Sequence, residues 1–162
     1  MQQWRWRLAA CGSIGLMVVM TAVAAETDPF VGTWKLNVAK SKFDGPAPKS
    51  SVVTITTVGD KRKMAVHTVP AEGPESNTES TTAEDGKDYP MKGSMTVDTV
   101  AVTKINARTL QRKDKKGGKI VATLRASVSA DGKRLTVNQR GTNFQGKTYN
   151  NMLVYDRVGG TE

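Results

Sequence analysis

The sequence predicts an all-β chain: an antiparallel up-and-down β-barrel of about eight to ten strands, with one short helical turn after strand 1. Three observations lead there. Beyond residue 25 no helical stripe of any length appears; short runs rich in Val, Thr and Ile are separated by turn dipeptides instead. Every link is short, so neighbours in sequence pair antiparallel. A meander without helical crossovers must close or stack to protect its edges, with a β-sandwich as the alternative to a barrel.

The first strand is Gly32 to Leu36. Asn37 to Phe43 follows as a turn or two of helix, with Asn37 as its cap. Gly45-Pro46-Ala47-Pro48 then forces an extended linker, because proline disfavours helix in the residue before it. Val52 to Val58 and Lys63 to Val69 are strands joined at Gly59-Asp60. In the second of these, Met64 and Val66 share one face while Lys63, Ala65 and His67 share the other. Pro70 and Pro74 bracket a loop, and Glu75 to Thr82, polar throughout, carries the least strand signal. Asp85-Gly86 and Tyr89-Pro90 read as turns.

The C-terminal part is the most regular. Turns at Asn106-Ala107, Gly117-Gly118, Asp131-Gly132 and Gln145-Gly146 separate strands near 99–105, 109–115, 120–129, 134–140 and 148–158. Gly-Gly and Asp-Gly suit tight hairpins, whose central positions need positive φ. Ile120, Ala122, Leu124, Ala126 and Val128 alternate with more polar neighbours, the pattern of a half-buried strand.

The first 25 residues read as a secretory signal peptide. Arg5 and Arg7 precede the mostly apolar run Leu8 to Ala25, and Ala22-Val23-Ala24 and Val23-Ala24-Ala25 offer small residues for cleavage after Ala24 or Ala25. A single domain, residues 26–162, would then be periplasmic or secreted. Two rivals are a retained anchor, since the run is just long enough to span a bilayer, and lipidation at Cys11 within Leu8-Ala9-Ala10-Cys11. Against lipidation, the apolar region follows that cysteine instead of preceding it. Cleavage removes the one cysteine, excluding disulfide or thiolate chemistry, and leaves Trp34 as the sole tryptophan.

Asp28-Pro29-Phe30-Val31-Gly32-Thr33-Trp34-Lys35-Leu36-Asn37 resembles the start of small exported bacterial proteins within the lipocalin-like (calycin-type) group. Lys40-Ser41-Lys42-Phe43, Gly45-Pro46-Ala47-Pro48, Gly86-Lys87-Asp88-Tyr89-Pro90 and Asn150-Asn151 to Val154-Tyr155 continue the likeness. The resemblance covers nearly the whole mature chain and implies a fold and a location, with no activity attached. In such barrels the first-strand tryptophan packs across the closed end beneath a basic residue from the last strand. The resemblance thus implies a structural closure by Gly32, Trp34 and Arg157.

The chain carries a formal charge of +9, and its basic residues concentrate beyond Thr103. The densest cluster is Arg108, Arg112, Lys113, Lys115, Lys116 and Lys119. It reads either as a solvated hairpin that keeps edges soluble or as a patch for an anionic partner. Nucleic acid is a poor partner, because the cluster lacks interleaved aromatics. Catalytic signatures are missing: His67 is the only histidine, no nucleophile elbow marks a serine, and no phosphate loop or dinucleotide fingerprint is present. Glu84, Asp85 and Asp88 could hold a hard cation but match no calcium loop, so no cofactor or metal is implied.

What remains is a container. The leading expectation is an exported barrel that binds a small hydrophobic or amphipathic ligand without transforming it. His67, Tyr89, Arg125, Arg140 and Tyr149 are the candidate ligand contacts, with Tyr89 and Phe43 in loops that cover an opening. The alternative is an envelope interaction protein that grips an anionic surface through the basic hairpin 108–119. An enzyme is a third reading and would need a site around His67 or the 84–88 stretch.

Overall fold

The computed structural model describes residues 28–143 and 145–159. The expected leader and expected cleavage site lie outside the described residues. Ten strands follow in order: β1 (Gly32–Leu36), β2 (Ser50–Val58), β3 (Lys61–Val69), β4 (Ser76–Thr82), β5 (Asp85–Lys92), β6 (Thr99–Asn106), β7 (Thr109–Lys116), β8 (Lys119–Val128), β9 (Arg134–Thr142) and β10 (Thr148–Val158). Each pairs antiparallel with its neighbour in sequence, and β1 closes the cylinder against β10. This is the all-β, up-and-down closed barrel that the sequence predicts. The helical turn after β1 is a single 3-10 turn, Val38–Lys40, where Asn37 Oδ1 accepts the Lys40 amide at 3.1 Å.

The chain differs from the expected pattern at two places. Asp85-Gly86 and Tyr89-Pro90 are not turns; both belong to β5. Gly86, at φ 75°, and a bulge between Asp85 and Asp88 let this polar stretch stay paired with β6. On β8 the expected alternation holds from Ala122 to Val128 but fails at Ile120, which is 54% exposed. A bulge next to Asp114 and Lys115 shifts the register: Asp114 faces Ala122, whereas Lys115 faces Ile120. One extra residue reverses the face of everything beyond it.

Alternation also gives the barrel an inside. Its lower end, where β1 begins, is packed solid by Phe30, Trp34, Ile55, Val128 and Leu135. The turn Gly117-Gly118 lies at the other, open end, with φ values of 55° and 76° that other residues adopt only with strain. One seam is incomplete: β4 and β5 pair only at Glu79 with Lys92 and at Ser80 with Met91. Towards the closed end side chains span this seam. Arg62 on β3 pairs with Glu84 beyond β4, and Lys61 Nζ on β3 lies 5.3 Å from the Tyr89 ring on β5; within β5, Tyr89 donates to Asp85 at 3.0 Å.

Candidate functional site

The floor is built first. Trp34 is fully buried, and its indole N–H donates to the Phe30 carbonyl at 2.9 Å. The Arg157 guanidinium sits 4.0 Å from the Trp34 ring centre. It also donates to three main-chain carbonyls: Gly132 at 2.7 Å, Val31 at 2.6 Å and Pro29 at 2.5 Å. Gly32, at φ 139°, passes so close that a side chain there would overlap Arg157 Nη1. The last strand thereby ties the N-terminal segment and the β8–β9 turn across the barrel's end.

Above this floor lies a cavity of about 330 Å³, enclosed by every strand except β1 and β5. That is the lower end of the size range of small-molecule sites. Its walls are unequal. From β6 to β10 they are mostly apolar, with Val102, Leu110, Leu124, Ala126, Val137 and Leu153 facing in. From β2 to β4 they mix Val53, Met64 and Val66 with the hydroxyls of Ser51, Thr68, Thr78, Ser80 and Thr82. Ser51 and Thr68 hydroxyls lie 3.0 Å apart. Tyr155, buried beside them, has its phenol pKa pushed up by burial, partly offset by Ser51 and by the positive charge of Arg112.

A polar belt crosses the cavity towards the open end. Arg112 and Asp114, two apart on β7, both point inward and form a forked ion pair, with Nε–Oδ1 2.5 Å and Nη2–Oδ2 3.1 Å. Arg112 Nη1 reaches across to Met64 Sδ on β3 at 3.7 Å. The Asp114 side chain is only 6% exposed. Register places Arg112, Leu124, Gln139 and Asn151 in one row, and Asp114, Ala122, Gly141 and Tyr149 in the row nearer the mouth. Gly141 has no side chain to meet the Tyr149 ring, whose hydroxyl accepts from Gln139 Nε2 at 3.3 Å. Burial, then the nearby Asp114 charge, raises the Tyr149 pKa.

The residues expected at the site fall elsewhere. None of His67, Tyr89, Arg125, Arg140 and Tyr149 lines the central cavity. Tyr149 comes nearest, in the mouth row. His67 lies on the outer face of β3, its Nδ1 2.8 Å from Asn77 Oδ1 and its Nε2 3.6 Å from Glu75 Oε2. Arg125 and Arg140 are exposed on the outer faces of β8 and β9. Tyr89 is a strand residue at the β4–β5 seam, while Phe43 packs against the core. Glu84, Asp85 and Asp88 are each held separately, by Arg62, Tyr89 and Lys115.

The sequence does not single out Arg112 and Asp114 as a site: Arg112 falls in the basic cluster that reads either as a solvated hairpin or as a patch for an anionic partner. The pattern was available: Leu110, Arg112 and Asp114 share one face of β7, and Gln111, Lys113 and Lys115 the other. The hairpin therefore does not gather its cations on one surface. Arg112 is inside, while Lys115 pairs with Asp88 at 2.7 Å and Lys116 with Asp98 at 2.6 Å.

No protein-family model and no curated protein matches the sequence. Among solved structures the chain is similar to the zebrafish ileal bile acid-binding protein complexed with cholic acid. The two are 14% identical with a TM-score of 0.52, over 80% of this chain and 99% of that one. At that identity the likeness speaks for the fold alone: a lipocalin-like, calycin-type barrel.

Proposed function

We propose that the protein is an exported, non-catalytic carrier whose barrel takes up one small, mainly apolar ligand. The enclosed cavity above the Trp34 floor carries this reading. Its apolar walls supply affinity at about 25 cal/mol per Å² of surface removed from water, and its few polar groups supply orientation. The fold's likeness to a bile acid-binding protein agrees with it. Export rests on the leader, with its arginines, apolar run and small residues before Glu26.

The test is a titration of the mature protein with Nile red, an uncharged dye that fluoresces in apolar surroundings. The expected result is saturable binding of one dye per chain. Ala126 faces the cavity between Leu110 on β7 and Val137 on β9. Ala126→Trp should fill the space and abolish the signal while the far-ultraviolet circular dichroism of the barrel persists. Undiminished dye binding in that variant would place the dye elsewhere and refute the reading.

A further inference from the structure

We propose that the cavity selects uncharged ligands bearing a hydroxyl or carbonyl group, and discriminates against carboxylates of the same length. This rests on the ligand-binding reading above and narrows its substrate class. Arg112 and Asp114 are the charged side chains on the β7 wall of the cavity. Arg112 is the natural partner for an anionic ligand, since its fork of N–H groups matches a carboxylate. That fork is already occupied by Asp114, through two hydrogen bonds from Nε and Nη2. The remaining terminal nitrogen points at the Met64 sulfur on the opposite strand.

The cation is therefore neutralised from within the chain. An entering carboxylate would either displace Asp114, stranding a buried charge, or sit beside it and leave the cavity with a net negative charge. Both are unfavourable at a position as buried as Asp114. The other charged group facing in, Arg62 near the floor, is likewise taken, by Asp28 and Glu84. What the cavity presents without charge is hydroxyl and amide chemistry: Thr78 and Ser80, beside the Ser51–Thr68 pair, on one wall, and Gln139, bonded to Tyr149, where the cavity meets the mouth. Such groups donate to or accept from an alcohol, ketone or amide without a charge to balance.

The experiment compares 1-decanol with decanoate at pH 7.5, each displacing Nile red from the mature protein. Decanol should displace the dye at a concentration at least about tenfold lower. Asp114→Asn removes the internal counter-charge and frees Arg112, so decanoate should gain at least about tenfold relative to decanol. Should Asp114→Asn fail to fold, the double variant Arg112→Leu, Asp114→Leu replaces the pair by apolar bulk. It should still bind decanol in preference to decanoate, and a preference for decanoate there would overturn the proposal. Decanoate binding as tightly as decanol to the natural protein, or unchanged by Asp114→Asn, overturns the proposal and leaves the carrier reading standing. Binding of neither chain overturns both.

Discussion

Arg157→Met isolates the closure of the barrel. The arginine makes three charged hydrogen bonds to carbonyls and covers the Trp34 ring at 4.0 Å. Methionine keeps much of the apolar cover and removes every donor. Charge-assisted bonds contribute about 1.5–3 kcal/mol each when isolated. Here one guanidinium serves three partly buried acceptors, so about 1 kcal/mol each is the better figure. The lost cation–π contact adds about 0.5–1 kcal/mol. The total, about 3–4 kcal/mol, is a large fraction of a domain's stability and corresponds to roughly 12 °C in Tm. Urea unfolding followed by Trp34 fluorescence measures it in the chain from Glu26 onward, which has no other tryptophan. Arg157→Lys, keeping the charge but not the fork, should lose about half as much. A loss below about 1 kcal/mol in Arg157→Met would refute the idea that this side chain ties the barrel's end.

Gly32→Ala should cost about 2 kcal/mol, since it forces a side chain into positive φ and against Arg157; in the Arg157→Met background the cost should fall to about 1 kcal/mol. An equal cost in both backgrounds would show that the close approach is unimportant. Because burial raises the Tyr155 pKa, the folded protein keeps that proton where the unfolded chain releases it; its contribution is complete below about pH 10 and declines as pH rises through the folded pKa. Denaturation between pH 8 and 12 should therefore show a shallower alkaline decline in Tyr155→Phe than in the natural protein, and equal slopes would contradict this. Ile120→Thr should change stability by less than about 0.5 kcal/mol, because the bulge turns that side chain outward. A core-sized loss by thermal melting would instead place Ile120 inside.

The architecture was legible because two signals agreed along most of the chain. Turn residues such as Gly117-Gly118 set the hairpins, and alternation from Ala122 to Val128 and in Met64 and Val66 set the inner face. Bulges broke that agreement. A single inserted residue flips Ile120, and a positive-φ glycine inside β5 makes Asp85-Gly86 look like a turn when it is a kink in a strand. The site was less legible for a related reason. Residue type alone makes polar strand residues look like ligand contacts, but parity decides which way they point. His67, Arg125 and Arg140 share parity with the outer face, and Arg112 and Asp114 with the inner one. Residue type alone does not mark Arg112 as neutralised; the i, i+2 spacing to Asp114 does so only once β7 is known to turn both side chains into the cavity. The hydroxyl wall was hidden likewise: β4 is polar throughout because one face meets water and the other meets the cavity.

The most direct test of the account locates the ligand. With protein carrying ¹³C-labelled methyl groups, intermolecular nuclear Overhauser effects from bound 1-decanol report which side chains it touches. Contacts should appear to the inward methyls of Val53, Val66, Leu124 and Val137, all lining the one cavity. Contacts to outward residues such as Val52 or Ile120, with the inward set silent, would contradict this expectation.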